Sequence, residues 1–576
     1  MNGYFSKARS GSLVLTLLLA LAGLSHAVAA ELPADAIFNH GEIYTPKGWA
    51  QAIAVRRGVM VAVGTDAQIE AFRGPATREF DLKGAAVLPG LHDMHVHPMY
   101  GGFQSLECRF TQGSSMSKVL EAVKACAATK KKGEWIVGGQ WDVTSLKATP
   151  DRKLLDKVAP DNPVLLGDIS GHSGWVNTMA LRIAGVKLDA STRNPVNGIY
   201  ERDAAGIPTG VLRETAVEDL QRSIPPRTPE ENARALDVAL KEMLSFGITS
   251  LTDAAVDGET LAAYAALSDK GLLKQHVKGC MVWSPGTGAN AANEDPAYIV
   301  QRNLYARERF APRCIKMFLD GVPTDSHTAA LLHPYVGARP DDPRARGMLK
   351  IPPAILNAAV TRFDAEGLTV KFHAAGDGAV REGLDAIAAA RKANGFSGQL
   401  HEVGHNSLVD KADIPRARAI GATFEMSPYL WFMTPLLPDN IVSVGPERMK
   451  RWIPVKEAID AGGLVDAGSD WPVVPSVSPW IAIETLVTRQ VPGGGGEVIA
   501  PDERITLKQA VDMFTVNGAR ELRDRDREGA LETGLRADFI VLDRNPFRIP
   551  VTQVHETRVK LTVIDGEVVY RAPAAR

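Results

Sequence analysis

The feature that most constrains this 576-residue chain is a rhythm of short apolar runs, most of them separated by segments of helix length. The runs are Ala86-Val87-Leu88, Ile248 to Asp253, Val277 to Trp283, Cys314 to Leu319, Leu368 to His373, Gln399 to His405, Ala422 to Met426 and Leu464 to Ala467. Strands joined by helices rather than by tight hairpins pair in parallel, and eight such units predict an α/β fold of the (β/α)8, or TIM barrel, type. One connecting helix is marked at both ends. Thr228-Pro229-Glu230-Glu231 supplies a cap, a first-turn proline and a capping-box glutamate, and Gly247 supplies the stop.

Two regions break the rhythm. Residues 99–245 are far too long for one crossover, which predicts an inserted subdomain, and Gly493 to Gly496 reads as a flexible loop. Outside the barrel, Ala36-Ile37-Phe38, Ala52 to Val55 and Val59 to Gly64 at one end, and Ala537 to Leu542 and Val559 to Gly566 at the other, are short β-type runs. They predict a small composite β-sandwich built from both termini. The expected division is a secretory signal over residues 1–30, sandwich over 31–88, the barrel over 89–520 with the insertion near 99–245, and sandwich again over 521–576.

The signal reading rests on Lys7 and Arg9, the apolar run Leu13 to Leu24, and small residues up to Ala30. The run is short for a membrane span, so no stable anchor is expected once it is removed, and an uncleaved anchor is the competing reading. The expected location is periplasmic or secreted. Export permits disulfides among Cys108, Cys126, Cys280 and Cys314; Cys108 with Cys126 is the local pair, but all three connectivities and free thiols stay open. With 65 basic and 67 acidic side chains there is no cationic surplus, which argues against nucleic acid as a partner.

Chemistry concentrates at the strand ends. In Pro89-Gly90-Leu91-His92-Asp93-Met94-His95-Val96-His97, the residues His95 and His97 lie two apart on a strand and share a face. Lys316 interrupts an apolar strand, where an ammonium is costly to bury. His373 and His405 end two further strands, and Asp470 follows Ala467-Gly468-Ser469. Barrel active sites lie at the C-terminal strand ends, and imidazole with carboxylate suits zinc or a similar divalent ion. A single histidine there would more often be structural. Their coincidence at one end of the barrel favours a metal site, with one or two ions and the metal's identity left open.

The motifs PGLHDMHVH (89–97), WIVGGQWD (135–142), GHSGWVN (171–177), GITSLTDA (247–254), KMFLDGV (316–322), HAAGD (373–377), GSDWPV (468–473) and ADFIVLDRNP (537–546) resemble the metal-dependent amidohydrolase superfamily. The likeness is to the YtcJ-like (amidohydrolase 3) branch that includes N-substituted formamide deformylases. The resemblance implies metal binding by His95, His97, His373, His405 and Asp470, carboxylation of Lys316 to a bridging carbamate, and a proton-handling role for Asp470. It also implies hydrolysis of a carbon-nitrogen bond by metal-activated hydroxide. Gly404 and Gly378 depart from the pattern, which often has an acidic residue and an arginine there.

On the substrate side, His172, Trp175 and Asn177 fall in the segment that the pattern places over the site, and Trp141, Tyr429, Trp431 and Trp471 add aromatic surface. If these line the pocket, the small amide-like substrate, an amide or N-substituted formamide, carries a bulky apolar or aromatic group; plain packing is the competing reading. An esterase, lactonase or cyclic amidase could use the same metal site. A periplasmic ligand-binding protein without turnover is the alternative from another class. Structural zinc fits poorly without a cysteine-rich sphere. Oligomeric state is open, with a homodimer among the expectations.

Overall fold

The computed structural model describes residues 32–168, 173–195, 198–285, 295–324, 327–339, 341–431 and 436–573. The expected signal segment and His172 lie outside them. Among the described residues no helix is long and apolar enough to cross a membrane.

Eight parallel strands form the central sheet: β1 (Leu91–Val96), β2 (Ile248–Val256), β3 (His276–Val282), β4 (Phe310–Phe318), β5 (Thr369–Ala374), β6 (Glu402–His405), β7 (Thr423–Met426) and β8 (Leu464–Ala467). Each hydrogen-bonds its sequence neighbour, as βαβ units require. The segment after β8 returns to β1, where Asp470 N donates to His95 O (2.6 Å) and His97 N to Trp471 O (2.9 Å). These bonds all but close the barrel and seat Asp470 beside the two histidines. The helix Pro229–Ser245 starts at the expected capping box, and Gly247 leaves it with φ +84°.

The first barrel strand is not the expected Ala86-Val87-Leu88. That run belongs to Ala86–Pro89, which pairs with Phe539–Leu542 from the other end of the chain; the barrel starts two residues later at Leu91. Leu88 and Leu91 are both fully buried, so hydrophobicity alone could not separate the two strands. The sheet containing Ala86–Pro89 also holds Glu42–Thr45, Gly48–Ala50, Val559–Ile564 and Glu567–Arg571. A four-stranded sheet from residues 36–81 packs on it through Phe38, Ile53, Val55, Phe539 and Val563. Both termini thus supply one sandwich.

Between β1 and the helix before β2 sits a separate six-stranded sheet with its own core around Trp141 and Trp175. The helix α1 (Pro98–Leu106) leads into it from β1. Cys108 is bonded to Cys126 within this insertion, and Cys280 on β3 is bonded to Cys314 directly across on β4. Both pairs are closed.

Candidate metal centre and adjoining cleft

The strand ends bring the expected ligands together. His95 on β1, His97 just after it and Asp470 after β8 place donor atoms within 4.8 Å of one another. His97 Nε2 is 3.2 Å, and His95 Nε2 3.7 Å, from Asp470 Oδ1. Lys316, 1% exposed, points from β4 to within 3.3 Å of His95 Nε2. The His405 ring lies 4.6 Å from that of His95 and 4.5 Å from that of His373, centroid to centroid.

Three of the histidines are held by one ring nitrogen. His95 Nδ1 meets Glu425 Oε2 at 2.5 Å, His373 Nδ1 meets Asp320 Oδ1 at 3.0 Å, and His405 Nδ1 meets Ser427 Oγ at 3.0 Å. A histidine that ligates through Nε2 usually has Nδ1 fixed in this way, which sets both tautomer and ring orientation. The residues therefore fit a divalent cation: imidazoles oriented from behind, a carboxylate among them, and an amine pointing into the same space.

Electrostatics favour neutral nitrogens here. Burial, followed by the nearby Lys316 charge, holds the His95 imidazole well below its usual range. Burial and then the His373 charge do the same to His405. Lys316 is brought down from its ordinary value to about 7 by burial and by the Lys371 ammonium. Burial raises the Glu425 carboxyl to about 7, against the pull of Lys371.

Below this rim the barrel interior is filled with charge. Lys371 Nζ donates to Glu402 Oε2 (2.5 Å) and Met94 O (2.9 Å) and lies 3.5 Å from Glu425; Lys278 Nζ donates to Glu402 Oε1 (2.7 Å) and to Glu521 (2.5 Å). All five side chains are essentially inaccessible.

Sequence reasoning missed Glu425, Asp320 and Ser427. A signal was available for the first: a glutamate in the apolar strand Thr423–Met426 is as anomalous as Lys316 in β4. Gly404, one of the departures from the family pattern, has a reason too. A Cβ there would lie 2.8 Å from Glu425 Oε2 and from Phe372 O, in the space the His95–Glu425 pair needs. At Gly378 a Cβ would meet Ala330 O at 2.9 Å.

The expected substrate residues divide differently. Trp141 is 2% exposed and its Nε1 donates to Leu166 O; Trp175 and Tyr429 are fully buried, with the Tyr429 hydroxyl donating to Ser478 O. Asn177 caps a helix, its Oδ1 accepting from Ala180 N. These four are packing and capping residues: indole and phenol bury large apolar area, and the polar atoms of Trp141 and Tyr429 find backbone partners, while the Trp175 Nε1 has no partner among the described residues. Trp431 ends the short turn Pro428–Trp431, and its side chain falls outside the described set. Among the described members of the aromatic group only Trp471 borders a cleft, of about 740 Å³, between α1, the inserted sheet and the segment following Asp470. The rest of its wall is mixed, with Arg109, Gln112, Gln140, Asp168 and Ser173 beside Phe110, Val137, Leu165 and Val217.

A nearly closed eight-stranded parallel barrel whose mouth gathers histidines, an aspartate and a buried lysine defines a hydrolase of the barrel class that works at its C-terminal strand ends. The amidohydrolase family pattern matches residues 78–570, and the chain belongs to that family. YtcJ of Bacillus subtilis (strain 168) is 29% identical over 547 residues, covering 93% of this chain and 99% of that protein. The N-substituted formamide deformylase of Arthrobacter pascens is 26% identical over 541 residues, covering 90% and 95%. A solved metal-dependent hydrolase from Pyrococcus furiosus superposes with a TM-score of 0.69 at 25% identity, over 89% of this chain and all of that one.

Proposed function

We propose that this protein is an exported, metal-dependent amidohydrolase that cleaves the C–N bond of a small amide or N-substituted formamide. The observation that carries it is the set of three imidazoles fixed through Nδ1, gathered with His97, Lys316 and Asp470. The deformylase among the relatives supports the bond type. The two disulfides and the apolar N-terminal run support export to a periplasmic or extracellular location.

His95, His97, His373, His405 and Asp470 would hold one or two divalent cations, zinc being the ion this donor set suits best. Such a cation, when bound, acidifies water and polarises a carbonyl. The protein's own groups do the rest. Lys316, brought down to about 7 chiefly by burial, offers at neutral pH the free amine needed to add carbon dioxide; its N–C bond would form, one proton would leave, and the resulting carbamate would be an anionic ligand. Asp470 is placed to take the proton of the attacking water and return it to the departing nitrogen, so that amide and water give acid and amine. His95 and His405, whose pKa values burial holds well below the usual imidazole range, are ready to ligate at neutral pH.

Metal analysis of the purified protein, with hydrolysis assays on a series of N-substituted formamides, tests this reading. About two ions per chain are expected in the native protein and fewer after Lys316→Ala. Asp470→Asn should lower turnover by about 10²–10⁴-fold with its fold intact. A protein that retains no ion, or an Asp470→Asn variant of undiminished turnover, overturns it.

A further inference from the structure

The cleft beside the centre has a wall that the hydrolytic residues leave unexplained. The strand Ile136–Trp141 shifts register between Gly139 and Trp141, and Gln140 takes φ +77° there, a left-handed conformation that a non-glycine residue adopts at a cost. The bulge accompanies a division of labour between neighbours. Trp141 is buried in the core of the insertion, whereas Gln140 borders the cleft, where its Oε1 accepts from Gln112 Nε2 at 2.9 Å. Arg109 lies on the adjacent strand, paired with Gly139, where a Cβ would meet the Gly167 backbone at 2.4 Å, so the strands lie close together here. Cys108, the residue before Arg109, is tied to Cys126, so this short strand is pinned.

The charges of the cleft are not equally committed. Arg227 is spent on Glu107 and on the face of Phe103, with its guanidinium carbon 3.5 Å from the ring centroid. Asp168 Oδ1 accepts from Ser173 N at 3.0 Å. Arg109 alone of the cleft's charged side chains has no hydrogen bond or ion pair among the described residues. A guanidinium offers a planar fork of donors matched to carboxylate, and the neighbouring amide pair adds donors and acceptors for a polar arm.

We infer that the cleft binds the substrate through a carboxylate, seated on Arg109 beside the Gln112–Gln140 pair, so that the preferred substrates are amides whose amine portion bears an acid group. This rests on the amide-hydrolase reading above and gives it a substrate class, in place of the bulky apolar group that the aromatic residues had suggested.

N-formylphenylalanine and N-(2-phenylethyl)formamide differ only in a carboxylate and make a matched pair of probes. The metal-loaded protein should hydrolyse the first with kcat/KM at least about 10-fold higher, as a charge-assisted contact implies. Arg109→Ala should collapse that ratio towards one, and Arg109→Lys should restore part of it. Calorimetric titration of N-formylphenylalanine into the metal-free full chain gives a second readout without turnover, and binding there should weaken about 10-fold or more in Arg109→Ala. Equal hydrolysis of both formamides, or a carboxylate preference that survives Arg109→Ala, overturns the inference and leaves amide hydrolysis standing. Arg109-dependent binding of N-formylphenylalanine with no hydrolysis of either compound supports the subsite and overturns the amidase reading. Absence of both hydrolysis and Arg109-dependent binding overturns both.

Discussion

The rim of the barrel and the layer directly beneath it are built from the same kinds of buried ionisable side chain, yet they are in opposite states of completion. Beneath, Lys278 and Lys371 are matched by Glu402, Glu425 and Glu521, each ammonium in contact with more than one oxygen. At the rim, the His95, His373 and His405 imidazoles are satisfied from behind by Glu425, Asp320 and Ser427, and the lysine that points among them, Lys316, is brought down to about 7 chiefly by burial. One layer is mostly paired by the chain itself, with the buried Asp466 carboxyl left without a hydrogen-bond partner among the described residues; the other is shaped for something that the chain does not encode. Glu425 joins the two, touching His95 on one side and Lys371 on the other.

The sharpest way to break this comparison is to unfinish the inner layer. Lys371→Met leaves Glu402 and Glu425 facing each other without their shared ammonium, and removing one partner of a buried ion pair costs about 3–5 kcal/mol. Urea denaturation of the metal-free protein should show that loss. A cost below about 1 kcal/mol would mean that the inner layer is not a closed set.

A second effect concerns pH. Burial raises the Asp253 carboxyl from 3.8 to about 7, with the Tyr264 hydroxyl donating to its Oδ2 at 3.0 Å. Between pH 4 and 7 the folded state thus holds a proton that the unfolded state has released, so stability falls as pH rises through that window. The full contribution is on the order of 4 kcal/mol. In thermal melts of the metal-free protein, Asp253→Asn should flatten this part of the pH profile; an unchanged slope would reject the assignment.

The smallest effect sharpens the line between site and core. Tyr429→Phe removes one hydroxyl bonded to Ser478 O and should cost about 1 kcal/mol in denaturant midpoint measurements, with kcat/KM for formamides unmoved. A tenfold change in kcat/KM would return Tyr429 to the pocket.

The barrel was legible because βαβ units repeat a pattern that sequence carries locally: an apolar run, then a helix with caps such as Thr228. The candidate centre was legible for the same reason, since His95, His97, His373, His405 and Asp470 fall at or just after the C-terminal ends of barrel strands and Lys316 lies within one. What stayed hidden depends on partners distant in sequence. Glu425 acquires its role only because β7 brings it to His95, 330 residues away in the chain. Lys278, Lys371 and Glu402 carried the same anomaly as Lys316, a charge within an apolar strand, but only pairing shows which charge is spent and which faces the mouth. The tryptophans misled because an indole is equally at home in a core and in a pocket; the hydrogen bond from Trp141 to Leu166 O decides it. Arg109 offered no sequence signal, since an exposed arginine is common and its lack of a partner is visible only in three dimensions.

The pairing of Ala86–Pro89 with Phe539–Leu542 has a consequence for how the protein comes into being. The early strand enters the world about 450 residues before its partner, and β1 likewise waits for the segment at Asp470. At ribosomal speeds of about 5–20 residues per second, that interval is roughly 20–90 s. Throughout it the nascent chain exposes an apolar strand edge, so neither the sandwich nor the closed barrel can form progressively during synthesis. Assembly is a terminal event, compatible with a polypeptide that is kept unfolded until it has been delivered whole.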